Sequence, residues 1–179
     1  MIIAIGGPPG SGKTTAAERL ADVHGYVLVS AGAMFRQMAQ AHGMDLTAFS
    51  AEAERDFGID RELDRRVLEE VLRQDTFGSD VVVDGRIQAY LLAQRRVPCI
   101  KIWIDAPLEV RAERVAGREG KSPSAARREI EDREGSERRR YRAIYGIDLA
   151  DRSGFDLVVD SSDKSPDEIV SLVLSQVEG

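Results

Sequence analysis

Apolar residues fall into short, β-branched runs at 2–5, 26–29, 81–83, 99–104 and 155–159, and each run reads as a buried strand. Between them, apolar positions recur at helical spacing over 14–24, 88–95, 108–118, 123–144 and 166–178. Gly25 supplies a stop for the first of these helices. Residues 33–74 are mostly helical by pattern, with breaks near Gly43 and Gly58. Two-sided apolar strands alternating with helices predict a parallel sheet covered on both faces. Right-handed crossovers then restrict the topology to a doubly wound sandwich. The stretch 31–74 holds no strand and is expected to project as a helical flap. The segment 117–140 is dense in arginine and glutamate, and suits either a solvated helix or a moving lid.

Length and charge narrow the range of functions. With 179 residues, 42% of them hydrophobic, the chain suits one compact domain with a sizeable core. A net charge of −6 is the opposite of what a nucleic-acid-gripping protein carries. Only Lys13, Lys101, Lys121 and Lys164 are lysines among 25 basic residues. The planar fork of arginine matches phosphate oxygens two at a time, although a codon bias toward arginine gives the same excess. The single cysteine, Cys99, sits in an apolar run and excludes a disulfide framework; a buried core thiol is expected. His24 and His42 have no motif around them and are expected at the surface or at helix ends. No charged leader and no window of about 20 apolar residues is found, so a cytoplasmic chain with neither signal peptide nor membrane span is expected.

The chemistry is concentrated after the first strand. Gly7, Pro8, Pro9, Gly10, Ser11, Gly12, Lys13 and Thr14 complete the pattern G-x-x-x-x-G-K-[ST] between a strand and a helix. Glycines there let successive backbone N–H groups turn toward phosphate oxygens, and the helix adds its positive dipole end. Lys13 is expected on the β and γ phosphates of ATP, and Thr14 on Mg²⁺. Asp84 ends the third strand, in the crevice where such sheets bind ligands, and is the second candidate for Mg²⁺. A guanine-reading Asn-Lys-x-Asp string is missing, which argues against a GTPase.

With these motifs the chain resembles the nucleoside monophosphate kinases, and within them the short archaeal-type cytidylate kinases. The landmarks are GPPGSGKTT at 7–15, SAGAMFR at 30–36, IDRELDRR at 59–66, VVVDGR at 81–86, the run 101–120, the run 132–148 and DSS at 160–162. The resemblance implies an α/β P-loop NTPase sandwich with a five-stranded parallel sheet and a single kinase domain. Its core would be 1–30, 75–115 and 141–179, its monophosphate-binding flap 31–74 and its lid about 116–140. It also implies ATP as donor on the loop, Thr15 and Arg114 included. The acceptor phosphate would meet Arg36 and Arg86. Arg133, Glu137 and Arg140 echo an Arg-x-x-x-Asp-x-x-Arg pattern, with the acid toward ribose and the arginines toward phosphates. Their spacings of four and three put all three on one helix face.

Lys13, Arg118, Arg133 and Arg140 are the expected stabilisers of the transferring phosphoryl group. Arg61 aligns with an arginine that reads cytosine in bacterial relatives. Those relatives carry aspartate where this chain has Ile87, and Ser50 is out of register with their base-reading serine, so UMP or AMP stays open as acceptor. CMP, with dCMP beside it, is the expected acceptor, and a monomer is the expected state. An ATP-binding regulatory or RNA-associated protein of the same fold is the alternative.

Overall fold

The computed structural model describes residues 1–178. Five strands, β1 (Ile2–Gly6), β2 (Val27–Ser30), β3 (Val81–Asp84), β4 (Ile100–Asp105) and β5 (Leu157–Asp160), form one parallel sheet in the order β2-β3-β1-β4-β5. The central strand pairs Ile2 with Val81 on one side and Ile3 with Ile100 on the other. The expected sheet is therefore present, although β2, β4 and β5 start one or two residues later than the apolar runs. Cys99 falls just before β4, half-buried and packed against the edge of the core instead of fully inside it.

Alternation along the strands divides the core into two layers. Ile3, Ile5, Val82, Ile102 and Ile104 face helices α1 (Lys13–His24) and α8 (Pro166–Glu178) through Leu20, Ile169 and Val173. Ile2, Ala4, Val81 and Val83 face the other way. There they meet Leu92 of α5 (Gln88–Gln94), Val67 and Val71 of α4 (Phe57–Thr76) and Tyr141 of α7 (Pro123–Tyr145).

Between β2 and β3 the chain forms α2 (Ala31–Ala41), α3 (Leu46–Arg55) and α4, each started by a side-chain cap. The Ser30, Asp45 and Asp56 side chains accept from the backbone N–H of Ala33, Ala48 and Gly58. The first expected break holds, with Gly43 at φ +65°. The second lies at Asp56 instead of Gly58. Gly58 sits inside the first turn of α4, where the Asp56 carboxylate lies 2.8 Å from the place a Cβ would occupy. The histidines are where they were expected, His24 ending α1 and His42 closing α2, with its Nδ1 2.8 Å from the Met38 carbonyl.

Two smaller apolar clusters stand beside the main core. Met38, Ala39 and Phe49 form a satellite cluster with Phe35, Ile59 and Leu63. The same α4 then carries Val67, Leu68 and Val71 into the main core. α6 (Leu108–Glu119) and the first part of α7 make their own cluster through Val115, Ala116, Ala126 and Ile130. No helix among the described residues is long and apolar enough to cross a membrane.

Phe49 is fully buried in the small cluster and has few neighbours able to close around a void. Phe49→Ala is expected to cost about 3–5 kcal/mol. Denaturant unfolding followed by circular dichroism checks this.

Candidate active site

The loop between β1 and α1 is shaped to hold an anion. Gly10 and Gly12 have φ of +78° and +92°, a region that side chains rarely adopt. At Gly10 a Cβ would also stand 2.8 Å from the Arg111 carbonyl, so a larger residue is excluded twice. No side chain caps the first turn of α1, which leaves its backbone N–H groups for a ligand.

The loop's carbonyls are held from outside by arginines. Arg86 Nη1 donates to the Gly7 carbonyl at 2.8 Å, Arg111 Nη1 to that of Pro9 at 3.2 Å, and Arg114 Nη1 to that of Gly10 at 3.3 Å. Three carbonyl dipoles that would repel a phosphate are thereby engaged by cations, which favours the opposite sense for the N–H groups.

Thr14 Oγ1 donates to Asp84 Oδ2 at 2.9 Å, while Asp84 Oδ1 is buried with no hydrogen-bond partner. An unpartnered buried carboxylate oxygen beside a hydroxyl is a donor set of the kind a hard divalent cation takes. Lys13 is half-buried and makes no side-chain hydrogen bond or ion pair among the described residues. Burial lowers its pKa from the usual lysine value, and Asp84 acts in the opposite direction.

A second set of cations faces the loop. Glu137 is buried, and its two oxygens accept from Arg86 Nε and, at 2.8 Å, from Arg133 Nε. Burial raises the Glu137 pKa, but the charges of Arg86 and Arg133 outweigh it and hold the carboxyl at about 2. Arg140 Nε donates to Asp60 Oδ2 at 2.8 Å and its Nη1 to Ser136 Oγ at 2.6 Å. One turn along α4, Asp64 accepts from Gln88 Nε2 at 3.0 Å and from the Tyr145 hydroxyl at 2.8 Å. Desolvation dominates here and pushes Asp64 up to about 7, against the Tyr145 hydrogen bond.

Residues 2–163 match the model of the cytidylate kinase-like family. The cytidylate kinase of Methanopyrus kandleri is 46% identical, over 99% of this chain and 93% of its own length. That of Methanocaldococcus jannaschii is 43% identical, over 99% and 98%. The chain belongs to the cytidylate kinase-like family. Its fold is that of the P-loop kinases. The shikimate kinase of Acinetobacter baumannii, solved with shikimate, superposes with a TM-score of 0.64, covering 99% of this chain and 92% of its own, at 17% identity.

Within this cytidylate kinase-like structure the residues named from sequence are distributed unequally. Lys13, Thr14, Asp84, Arg86, Arg133, Glu137 and Arg140 come together. Arg36 on α2 and Arg61 on α4 are exposed, with no partner among the described residues. Arg114 donates its terminal N–H groups to the Gly10 carbonyl and to the Ser161 hydroxyl and carbonyl, so it braces the loop. Arg118 is exposed at the end of α6 beside Glu119, away from the cluster. Glu137 was expected on ribose, but both of its oxygens are engaged by guanidinium groups.

Sequence reasoning missed Arg111, buried and paired with Glu134, although it lies three residues before Arg114 on the same face of α6. Asp60 and Asp64 were also missed. Four-residue spacing on a helix that reads as solvated carries no sign that the face turns inward.

The two perturbed carboxylates act on stability in opposite directions. Glu137 has a folded pKa below its ordinary 4.5, so its contribution is present above about 4.5 and lost as pH falls toward 2. Asp64 has a folded pKa above its ordinary 3.8, so stability declines as pH rises from about 4 to 7. Glu137→Gln is expected to flatten the acid limb and Asp64→Asn the upper one. Unfolding free energies measured from pH 2 to 8 distinguish the two.

Proposed function

We propose that the chain moves the γ-phosphoryl group of ATP onto the phosphate of CMP, with dCMP as a second acceptor, giving ADP and the nucleoside diphosphate. The observation that carries this is the meeting of two cationic sets at one end of the sheet. One set is the loop amides with Lys13, and the other is Arg86, Arg133 and Arg140 around Glu137. A single nucleotide needs only the first. Two phosphate-bearing substrates need both. The cytidylate kinases that this chain matches over nearly all its length support CMP as the acceptor.

Phosphoryl transfer passes through a loose transition state, so positioning and charge stabilisation are what the protein supplies. In this reading the loop N–H groups and Lys13 hold the β and γ oxygens of ATP. Arg36 and Arg86 grip the acceptor phosphate, and Arg133 and Arg140 stand where charge spreads during transfer. A phosphate monoester is largely ionised at neutral pH, its second pKa being about 6, so the acceptor oxygen needs no general base. Thr14 and Asp84 would hold Mg²⁺, which would neutralise charge on the β and γ oxygens when bound. Arg61 is assigned to the acceptor base, and Arg118 would have to move inward with the end of α6 to reach the phosphates.

ADP production from ATP and Mg²⁺, with CMP, dCMP, UMP, AMP and GMP supplied singly, tests the reading. Turnover is expected to be fastest with CMP and to vanish on chelation of the metal. Lys13→Ala is expected to lower kcat by about 10²-fold or more. Preference for AMP or UMP would overturn the assignment of the base, and no stimulation by any monophosphate would overturn the kinase reading.

A further inference from the structure

Asp60 and Asp64 lie one turn apart on α4, exposed to 3% and 4%, and both face α7. A buried carboxylate is costly unless it is paired and hydrogen-bonded, so what it pairs with is informative. Asp60 takes Arg140 along one edge of the guanidinium, with Oδ2 2.8 Å from Nε and Oδ1 3.4 Å from Nη2. Ser136 Oγ takes one hydrogen of Nη1 at 2.6 Å. Of five N–H groups, three are committed, and one remains on each terminal nitrogen. Two parallel N–H donors are what a bidentate grip on a phosphate requires.

The second rung fixes the geometry of the first. Asp64 binds Tyr145 at the end of α7 and Gln88 at the start of α5, which ties α4 to both helices one turn from Asp60. Asp60 therefore cannot follow Arg140 freely; it is set by a helix anchored in the core.

We infer that Asp60 is a positioning residue for phosphoryl transfer, holding Arg140 so that one N–H of each terminal nitrogen points at the transferring phosphoryl group. The inference rests on the nucleotide kinase reading and extends it, because the support for this arginine comes from the helix that also carries the flap cluster. Arg140 is the group that meets substrate, and Asp60 acts through it. A misplacement of about 1 Å in such a group can cost 10²-fold in rate.

The test is a double-mutant cycle on the full chain with ATP, Mg²⁺ and CMP: wild type, Asp60→Asn, Arg140→Ala and the double variant, with thermal melts of each. Asp60→Asn is expected to lower kcat by about 10- to 100-fold while KM for ATP stays unchanged. In the Arg140→Ala background the same substitution is expected to change kcat less than about twofold, since the group it acts through is gone. Wild-type kcat in Asp60→Asn, or losses that multiply in the double variant, would overturn the inference. Should Asp60→Asn fail to melt cooperatively, Asp60→Glu carries the same cycle. A wild type that CMP does not stimulate overturns the functional reading and this inference with it. An active wild type with multiplying losses overturns this inference alone.

Discussion

Arg86 and Arg133 converge on one buried carboxylate, Glu137, and the arrangement of the site follows from that convergence. Two guanidinium groups this close would repel each other without an anion between them. An anion supplied by the protein lets them stand together beforehand, at the cost of burying two charges, Arg86 and Glu137, while Arg133 stays exposed. That cost is met by geometry: both oxygens of Glu137 are engaged, and Arg86 spends a further N–H on the Gly7 carbonyl. One ion triad thus fixes α7 against the segment after β3 and fixes the phosphate loop against both. Its worth lies less in stability than in preorganisation, since the cations need no rearrangement when charge develops.

The loop illustrates the same economy from the outside. Arg86, Arg111 and Arg114 arrive from two different parts of the chain and each takes a loop carbonyl. Arg111 is itself held by Glu134 of α7, so α6, α7 and the loop form one hydrogen-bonded body. Lys13 is left without a side-chain partner among the described residues, its ammonium facing Asp84 and the two arginines without being neutralised by a contact of its own.

Much of this was legible in the sequence, and what was not has a physical reason. The strands announce themselves because both faces are buried, which leaves unbroken β-branched runs; the loop does so because its glycines and its lysine sit at fixed spacing. Arg133, Glu137 and Arg140 were legible as a face of one helix, but the partner of each was not. Whether Glu137 meets a ribose or a guanidinium depends on which residue lies opposite, and a helical period carries no such information. The partners of Arg114 were hidden for the same reason: its donors go to Ser161 and to Gly10 of the loop. Asp60 and Asp64 were hidden by their neighbours: Arg61, Glu62, Arg65, Arg66 and Glu69 give α4 the composition of a solvated helix. The real cue, two acids at i and i+4 among apolar positions at 63, 67 and 71 that pack inward, becomes visible only once the opposite face of α4 is known to be ion-paired to water-exposed partners.

Helix α4 runs unbroken through 20 residues, about 30 Å, from the satellite cluster around Phe49 to the sheet at Val71. On the side of β2 the chain passes directly from Ser30 into α2 at Ala31, and on the side of β3 the stiff beam of α4 returns through the short connection 77–80. A beam clamped at one end transmits tilt as a lever: about 10° at Val67 would carry its first residue, about 15 Å away, by about 2.6 Å. Small repacking beneath the sheet is thereby magnified over the crevice, and a mutation in the core layer at Val67 or Leu68, remote from any phosphate, would be felt at the mouth of the site.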